Sequence, residues 1–204
     1  MNLGGNIMEH YYTQKPTVSH DENKVHFKVK DIELELITDA GVFSKRRVDF
    51  GSNLLINSVP QTTGKILDLG CGYGVIGISL SLLNPSSDVT MVDINERAVE
   101  LANRNIKLNN IKNAKAIQSD GFEKVVGKFD VIVSNPPIRA GKKVIYPLFE
   151  QSIDFLNTNG AIYLVIQKKQ GANSAFDKLE SIYGNCEVIN KDAGYWILKS
   201  TKSI

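Results

Sequence analysis

Cysteine, histidine and tryptophan are scarce in this 204-residue chain, which has two, three and one of them respectively. Cys71 and Cys186 have the spacing of neither a zinc site nor a redox pair, and a reduced, cytosolic setting is expected. His10, His20 and His26 all fall in the N-terminal region, outside the motifs described below, which argues against a Ser–His triad or a zinc site. Charge of one sign is also lacking. A formal net charge of +2 does not argue nucleic-acid binding by itself, so any RNA contact must come from local clusters. No apolar run is long enough to cross a bilayer. The opening MNLGGNIMEHYY lacks the basic-then-apolar order of a secretion signal, and Met8 is as good a candidate initiator as Met1. What remains, 42% apolar and 23% charged residues, is the composition of a folded globular domain with a real core.

The pattern along the chain predicts one domain: an extended or poorly ordered start over 1–20, a hairpin and helix over 21–64, and a core over 65–204. VHFKVK (25–30) and ELELIT (33–38) alternate apolar and polar residues around Lys30-Asp31, the pattern of a β-hairpin. Asp49 can cap a helix carrying Leu54, Leu55, Ile56 and Val59, which Pro60 would end. From Lys65 onward strands and helices alternate. KILDLG, DVTMVDI, AKAIQS, FDVIVSN and GAIYLVIQ read as strands; VIGISLSLLN, NERAVELANRNIKLNN, VIYPLFEQSIDFLN and SAFDKLESIYG read as helices. Asn95 is the expected cap of the second of these helices, with Ala98, Leu101, Ala102 and Ile106 as its buried stripe. CEVIN and GYWILKS close the chain too near each other for a crossover helix, so they must pair antiparallel. Such alternation predicts an α/β fold with a mainly parallel sheet covered on both faces, and ligands beyond the carboxyl ends of its strands.

The chemistry concentrates at those ends. Gly72-Tyr73-Gly74-Val75-Ile76-Gly77 satisfies G-x-G-x-x-G, a weak signal alone. It fits a tight turn, a dinucleotide pyrophosphate site, or a cradle for S-adenosylmethionine. Asp68 separates the last two, because a carboxylate before the first glycine repels a pyrophosphate and suits the methionine ammonium. Asp93 can accept from both ribose hydroxyls of either cofactor. Asp120, after the third strand of this series, can accept from an adenine amino group or simply cap a helix. In this order and spacing, DLGCGYG, VDIN, SDGF and NPPI resemble a class I S-adenosylmethionine-dependent methyltransferase. That resemblance implies a Rossmann-like, seven-stranded, mainly parallel sheet with an antiparallel last strand, here with an N-terminal β-hairpin extension. It also implies cofactor contacts at Asp68, Gly70, Gly72, Gly74, Asp93, Ile94, Asp120 and Asn135.

Asn135-Pro136-Pro137-Ile138 follows an apolar strand. Two prolines stiffen the backbone, so the Asn135 side chain and the Pro136 carbonyl are held as acceptors able to converge on one NH2 group. Such a group, conjugated to a ring or carbonyl, is a poor nucleophile. Two acceptors can pull it toward tetrahedral geometry and aim its lone pair at a sulfonium methyl. No strong base is needed, because the nitrogen becomes acidic once methylated. The plainer alternative is a rigid surface turn. Asn-Pro-Pro resembles amino-group methyltransferases acting on adenine N6, guanine N2, cytosine N4 or glutamine amides. NPPIRAGK with GVFSKRRVDFGSNLLI resembles the ribosomal RNA small-subunit methyltransferase C family, which methylates guanine N2 in 16S ribosomal RNA. The chain resembles its short form, without the extra N-terminal methyltransferase-like domain.

The resemblance implies catalytic roles for Asn135, Pro136 and Pro137, substrate contacts at Ile138, Arg139, Lys142 and Lys143, no metal, and a partner that is ribosomal RNA or the small subunit. Lys45-Arg46-Arg47, Arg139 with Lys142-Lys143, and Lys168-Lys169 form three basic clusters. Each is either solvated surface or a phosphate contact; together at one rim they favour RNA. The target amine would be on an unpaired or flipped guanine. Phe43 either lies over the cofactor or base, or packs in the core. The expected protein is a cytoplasmic enzyme, a monomer in preference to an oligomer. Competing readings are a protein-glutamine methyltransferase, against which Ile138 replaces that family's usual Tyr and a hairpin replaces its helical N-terminal domain, and a non-catalytic RNA- or nucleotide-binding module, against which the full acidic set stands. A dinucleotide oxidoreductase is least compatible, because of Asp68.

Overall fold

The computed structural model describes residues 18–203. Met8, His10 and most of the expected N-terminal start lie outside the described residues. The alternating segments pair as expected: β1 (Asn23–Val29) and β2 (Ile32–Thr38) form an antiparallel hairpin that is a sheet of its own. Asp49 caps α1 (Phe50–Ser58), accepting from the Ser52 N–H at 3.1 Å.

The remaining strands are β3 (Lys65–Leu69), β4 (Asp88–Asp93), β5 (Ala114–Gln118), β6 (Phe129–Ser134), β7 (Leu156–Gln167), β8 (Glu187–Asp192) and β9 (Tyr195–Thr201). They form one seven-stranded sheet in the order β5-β4-β3-β6-β7-β9-β8. The pairs from β5 through β7 are parallel, while β9 runs antiparallel between β7 and β8. Among the described residues five α-helices supply the crossovers and covers: α1, α2 (Val75–Leu83), α3 (Glu96–Leu108), α4 (Lys142–Ser152) and α5 (Ala172–Tyr183).

Alternation along the central strands divides the core in two. Ile66, Val131, Val133, Tyr163 and Val165 face α1, α2, α3 and the hairpin. Leu67, Ile132, Ile162, Leu164 and Ile166 face α4 and α5. Both faces of the strands are therefore apolar, which is why they read as unbroken runs. The α3 stripe of Ala98, Leu101, Ala102 and Ile106 is buried, and Asn95 caps that helix by accepting from Arg97 and Ala98.

Most element ends shift by a residue or two, and the largest difference from the sequence reading lies between α4 and β7. The helix expected to run through Asn157 stops at Ser152, a single 3-10 turn follows over Ile153–Phe155, and the strand begins at Leu156. Tertiary contacts decide this: Leu156 pairs with Phe129, and the Asn157 amide donates to Asp130 at 2.8 Å.

The hairpin is docked by side-chain amides. β2 would otherwise present an unpaired edge, a liability for any sheet. Asn105 donates to the Ile37 carbonyl (2.9 Å) and accepts from its N–H (2.7 Å), and Asn109, one turn along α3, does the same for Glu35 (2.9 and 3.3 Å). Asn105 also donates to the Tyr73 carbonyl at 2.9 Å, which ties the hairpin to the glycine loop. Asn105 is fully buried. Asn105→Ala therefore leaves buried backbone groups unpaired and should cost roughly 2–4 kcal/mol in urea denaturation. Asn109→Ala, where water can reach, should cost clearly less. Equal losses at the two positions would contradict this account of how the hairpin is held.

Candidate active site

The motif residues gather at the carboxyl ends of four adjacent strands. Asp68 is on β3, Asp93 ends β4, Asp120 follows β5, and Asn135 follows β6. Neighbouring strands are about 4.8 Å apart, so these ends span roughly 14 Å.

The loop between β3 and α2 is built around main-chain donors. The Gly70 and Cys71 N–H groups both donate to the Val92 carbonyl at 2.9 Å, bending the chain across the end of β4. Gly70, Gly72 and Gly74 all have positive φ (76, 57 and 95°), which L side chains rarely adopt. A Cβ on Gly70 would meet nothing within 4 Å, so this backbone lies open to whatever occupies the edge. At Gly77 the reason is packing instead: a Cβ there would fall 2.3 Å from the Met91 sulfur.

Asp68 is completely buried. Its Oδ2 accepts from the Gly77 N–H at 2.8 Å, and its Oδ1 has no partner among the described residues. Burial pushes its pKa up to about 7; the Gly77 bond opposes this and the charge of Asp93 adds to it. Asp93 is likewise raised by burial, against bonds from Asn95, Gly72 and Ile94 N–H groups. Its Oδ2 accepts from Gly72 (2.8 Å) and its Oδ1 from Asn95 (2.9 Å). A carboxylate offers about four lone-pair sites, so acceptor capacity remains. Ile94 is half-buried and its carbonyl accepts from the Gln118 amide. Asp120 is exposed, and Ser119 rather than Asp120 receives the Lys124 N–H of the following turn.

Asn135 is half-buried, and its Nδ2 donates to Asp49 Oδ2 and to Ser52 Oγ, both at 3.0 Å. Asp49 and Ser52 are site residues that the sequence reading missed. The only local signal at Asp49 was a helix cap, and nothing local linked it to a turn 86 residues away. The Pro136 carbonyl accepts from the Ile138 N–H at 2.8 Å, so one of its two lone pairs is already engaged. Ile138 is half-buried against the core under α4 and α5, and it begins a single 3-10 turn that also holds Arg139. Lys142 and Lys143 are exposed at the start of α4.

Other basic residues divide. Lys168 and Lys169 follow β7 on this same edge, whereas Lys45 is paired with Asp21. Phe43 is 52% exposed, so it is not core packing. His20, Glu22 and Asp39 converge near the hairpin, but Arg97 lies by Asp39 and Arg104 pairs with Glu22. An open hollow of about 490 Å³ at the opposite sheet edge, lined by Thr63, Lys65, Asp88, Lys128 and Asp130 among others, contains none of the motif residues.

The Asp68 burial has a thermodynamic signature. Folded protein holds this proton up to about pH 7, whereas the ordinary carboxyl value is 3.8, so stability falls as pH rises between those values. Asp68→Asn should remove that slope. At pH 8 the ligand-free variant should melt above wild type, by about 2–4 °C per kcal/mol recovered. Near pH 4 the two should converge. Melting curves that stay parallel from pH 4 to 8 would contradict a buried, unpaired Asp68.

Comparison with known proteins places this geometry. The family described as methyltransferase small domain matches residues 33–199. The uncharacterized protein YbxB of Bacillus subtilis (strain 168) is 48% identical over 200 residues, covering 96% of this chain and all of that protein. Ribosomal RNA small subunit methyltransferase C of Aeromonas hydrophila is 38% identical over 178 residues, covering 83% of this chain and 50% of that protein. Among solved structures, the T. thermophilus 16S rRNA N2 methyltransferase RsmC, in complex with AdoMet and guanosine, superposes with a TM-score of 0.81 at 26% identity. That match covers 92% of this chain and 52% of RsmC, so the chain spans about half the length of these rRNA methyltransferases. The sheet order, the acidic strand ends and these matches agree: the chain belongs to the methyltransferase small domain family.

Proposed function

We propose that this chain is a cytosolic, monomeric enzyme, a single methyltransferase domain over residues 1–204 with its catalytic core over 65–204, that methylates the exocyclic N2 amine of a guanine in small-subunit ribosomal RNA. The observation that carries this reading is the Asn135 turn, held rigid beside an acidic strand edge that fits S-adenosylmethionine. The unpaired Asp68 Oδ1 suits an ammonium group, the spare lone pairs of Asp93 suit ribose hydroxyls, and Gly70 leaves open backbone between them. Asp120 and Ile94 would border the adenine. When bound, S-adenosylmethionine supplies an electrophilic sulfonium methyl.

The chain's own groups do the rest. Asn135 Oδ1 and the remaining Pro136 lone pair accept from the two hydrogens of the substrate amine. They hold its lone pair outward and stabilise the positive charge that grows on nitrogen. Pro137 fixes the turn, and Ile138 offers an apolar wall for the base. The exposed Lys142 and Lys143, with Arg139, suit phosphate binding. So does a hollow of about 510 Å³ on the same edge, lined by Gln167, Lys168, Lys169, Asn173, Ala193 and Gly194. RsmC and the methyltransferase C relatives are ribosomal RNA methyltransferases, which supports RNA as the acceptor.

Incubation with tritiated S-adenosylmethionine tests the acceptor. Label should enter small ribosomal subunits or their RNA and should not enter release factors; the reverse would favour the protein-glutamine reading. Asn135→Ala should keep cofactor affinity in calorimetry while turnover collapses, because its bond matters most as charge develops. A parallel loss of both would make Asn135 structural or cofactor-directed. Replacing Arg139, Lys142 and Lys143 together by Ala should flatten the log–log salt dependence of RNA binding, by about one unit for each phosphate no longer neutralised. An unchanged slope would remove this loop from the RNA interface.

A further inference from the structure

We propose that Asp49, the cap of α1, and Ser52, in its first turn, are positioning residues that make Asn135 an acceptor-only contact for the substrate nitrogen. The inference rests on the methyltransferase reading and concerns how that site selects its group.

An asparagine side chain has two faces, a donor NH2 and an acceptor oxygen, and a free one can present either to a ligand. Here Asp49 removes the choice. A carboxylate has no hydrogen to give, so the amide face toward Asp49 must be nitrogen. One N–H goes to Asp49 Oδ2 and the other to Ser52 Oγ, each at 3.0 Å. Both donors are consumed. Oδ1 is left, and among the described residues none donates to it.

The clamp is itself built in. Asp49 Oδ2 also accepts the Ser52 N–H at 3.1 Å, and the Asp49 carbonyl accepts from Asn53 at 3.1 Å, so the carboxylate is fixed to the start of α1. Ser52 is 3% exposed. Gly51, between them, lets Tyr195 close over the group: a Cβ there would lie 2.8 Å from the Tyr195 ring and 2.9 Å from Asp49 Oδ2. Phe50 packs on the same ring, with centroids 5.6 Å apart.

Two consequences follow. An acceptor-only Asn135 favours a substrate edge that offers N–H and opposes one that offers only a ring nitrogen or carbonyl oxygen, because acceptor then meets acceptor. The Asp49 charge also polarises the amide through its hydrogen bond, moving electron density onto Oδ1 where the substrate nitrogen becomes positive. Asp49 therefore acts on the reaction through Asn135, without touching the substrate.

The experiment compares wild type with Asp49→Ser and Asp49→Asn. Both retain a side-chain oxygen to cap α1, and Asp49→Ser withdraws the acceptor from Asn135. In methyl transfer to ribosomal RNA, Asp49→Ser should lower kcat by about tenfold or more, with KM for RNA little changed. Asp49→Asn, which keeps the shape and loses the charge, should fall between. Calorimetric affinity for S-adenosylmethionine should match wild type in both. A second readout needs no turnover. In the protein alone, the Asn135 side-chain amide, assigned by its disappearance in Asn135→Ala, should give two resolved ¹H–¹⁵N signals protected from solvent exchange, and Asp49→Ser should abolish that protection. Wild-type kcat in Asp49→Ser, or an Asn135 amide that exchanges freely in wild type, would overturn the proposal. Should wild type label no RNA at all, the acceptor assignment fails, and the amide signals still decide whether Asp49 orients Asn135.

Discussion

A carboxyl group buried with one oxygen unpaired is the constraint around which this fold is arranged. Asp68 is fully buried, and among the described residues only the Gly77 N–H, at the start of α2, reaches its side chain. Burying an ionised carboxylate without full hydrogen bonding opposes folding, and its raised pKa expresses that opposition. The surrounding structure holds it there regardless. Two N–H groups anchored on Val92 bend the loop, Asp93 ties Gly72 down, and Asn105 fastens Tyr73 to α3 and the hairpin. A group kept in a costly state by so many neighbours is the expected condition of a site completed by a cationic ligand.

The same logic links the N-terminal segment to the chemistry. β1, β2 and α1 are outside the seven-stranded sheet, yet β2 and α1 both bear on the site. β2 is bound edge-on by Asn105 and Asn109, and Asn105 continues to the glycine loop. The start of α1 holds Asn135 by its amide nitrogen. The Ser134 hydroxyl, one residue earlier, donates to the Leu69 carbonyl at 2.6 Å, joining the Asn-Pro-Pro strand to the strand that carries Asp68. The acidic edge and the Asn-Pro-Pro turn are thus fixed to one another through buried polar contacts, where a shift of one side would leave groups on the other unpaired.

Much of this was legible because it is local or periodic. The strand–helix alternation, the Asp49 and Asn95 caps, the first hairpin and the antiparallel close of the chain all follow from spacing, and the structure has them. What escaped depends on distant partners. The segment through Asn157 reads as the end of a helix, but pairing with β6 draws it into β7 from Leu156 onward. Asn105 and Asn109 look like indifferent helix residues until β2, about seventy positions upstream, supplies their partners. Lys45 belongs to a basic run in sequence and to an ion pair with Asp21 in space. The second role of Asp49 was hidden for the same reason: a cap is a local event, and a clamp on Asn135 is not.

The central claim is the identity of the methylated atom. The most direct measurement is nucleoside analysis of small-subunit RNA after reaction with wild-type protein and isotopically labelled S-adenosylmethionine. Complete digestion followed by chromatography and mass spectrometry should place the labelled methyl on the exocyclic N2 of guanosine. A labelled methyl on adenine, on a ring nitrogen or on a ribose would contradict the reading, as would RNA that stays unlabelled while a protein in the mixture acquires the methyl.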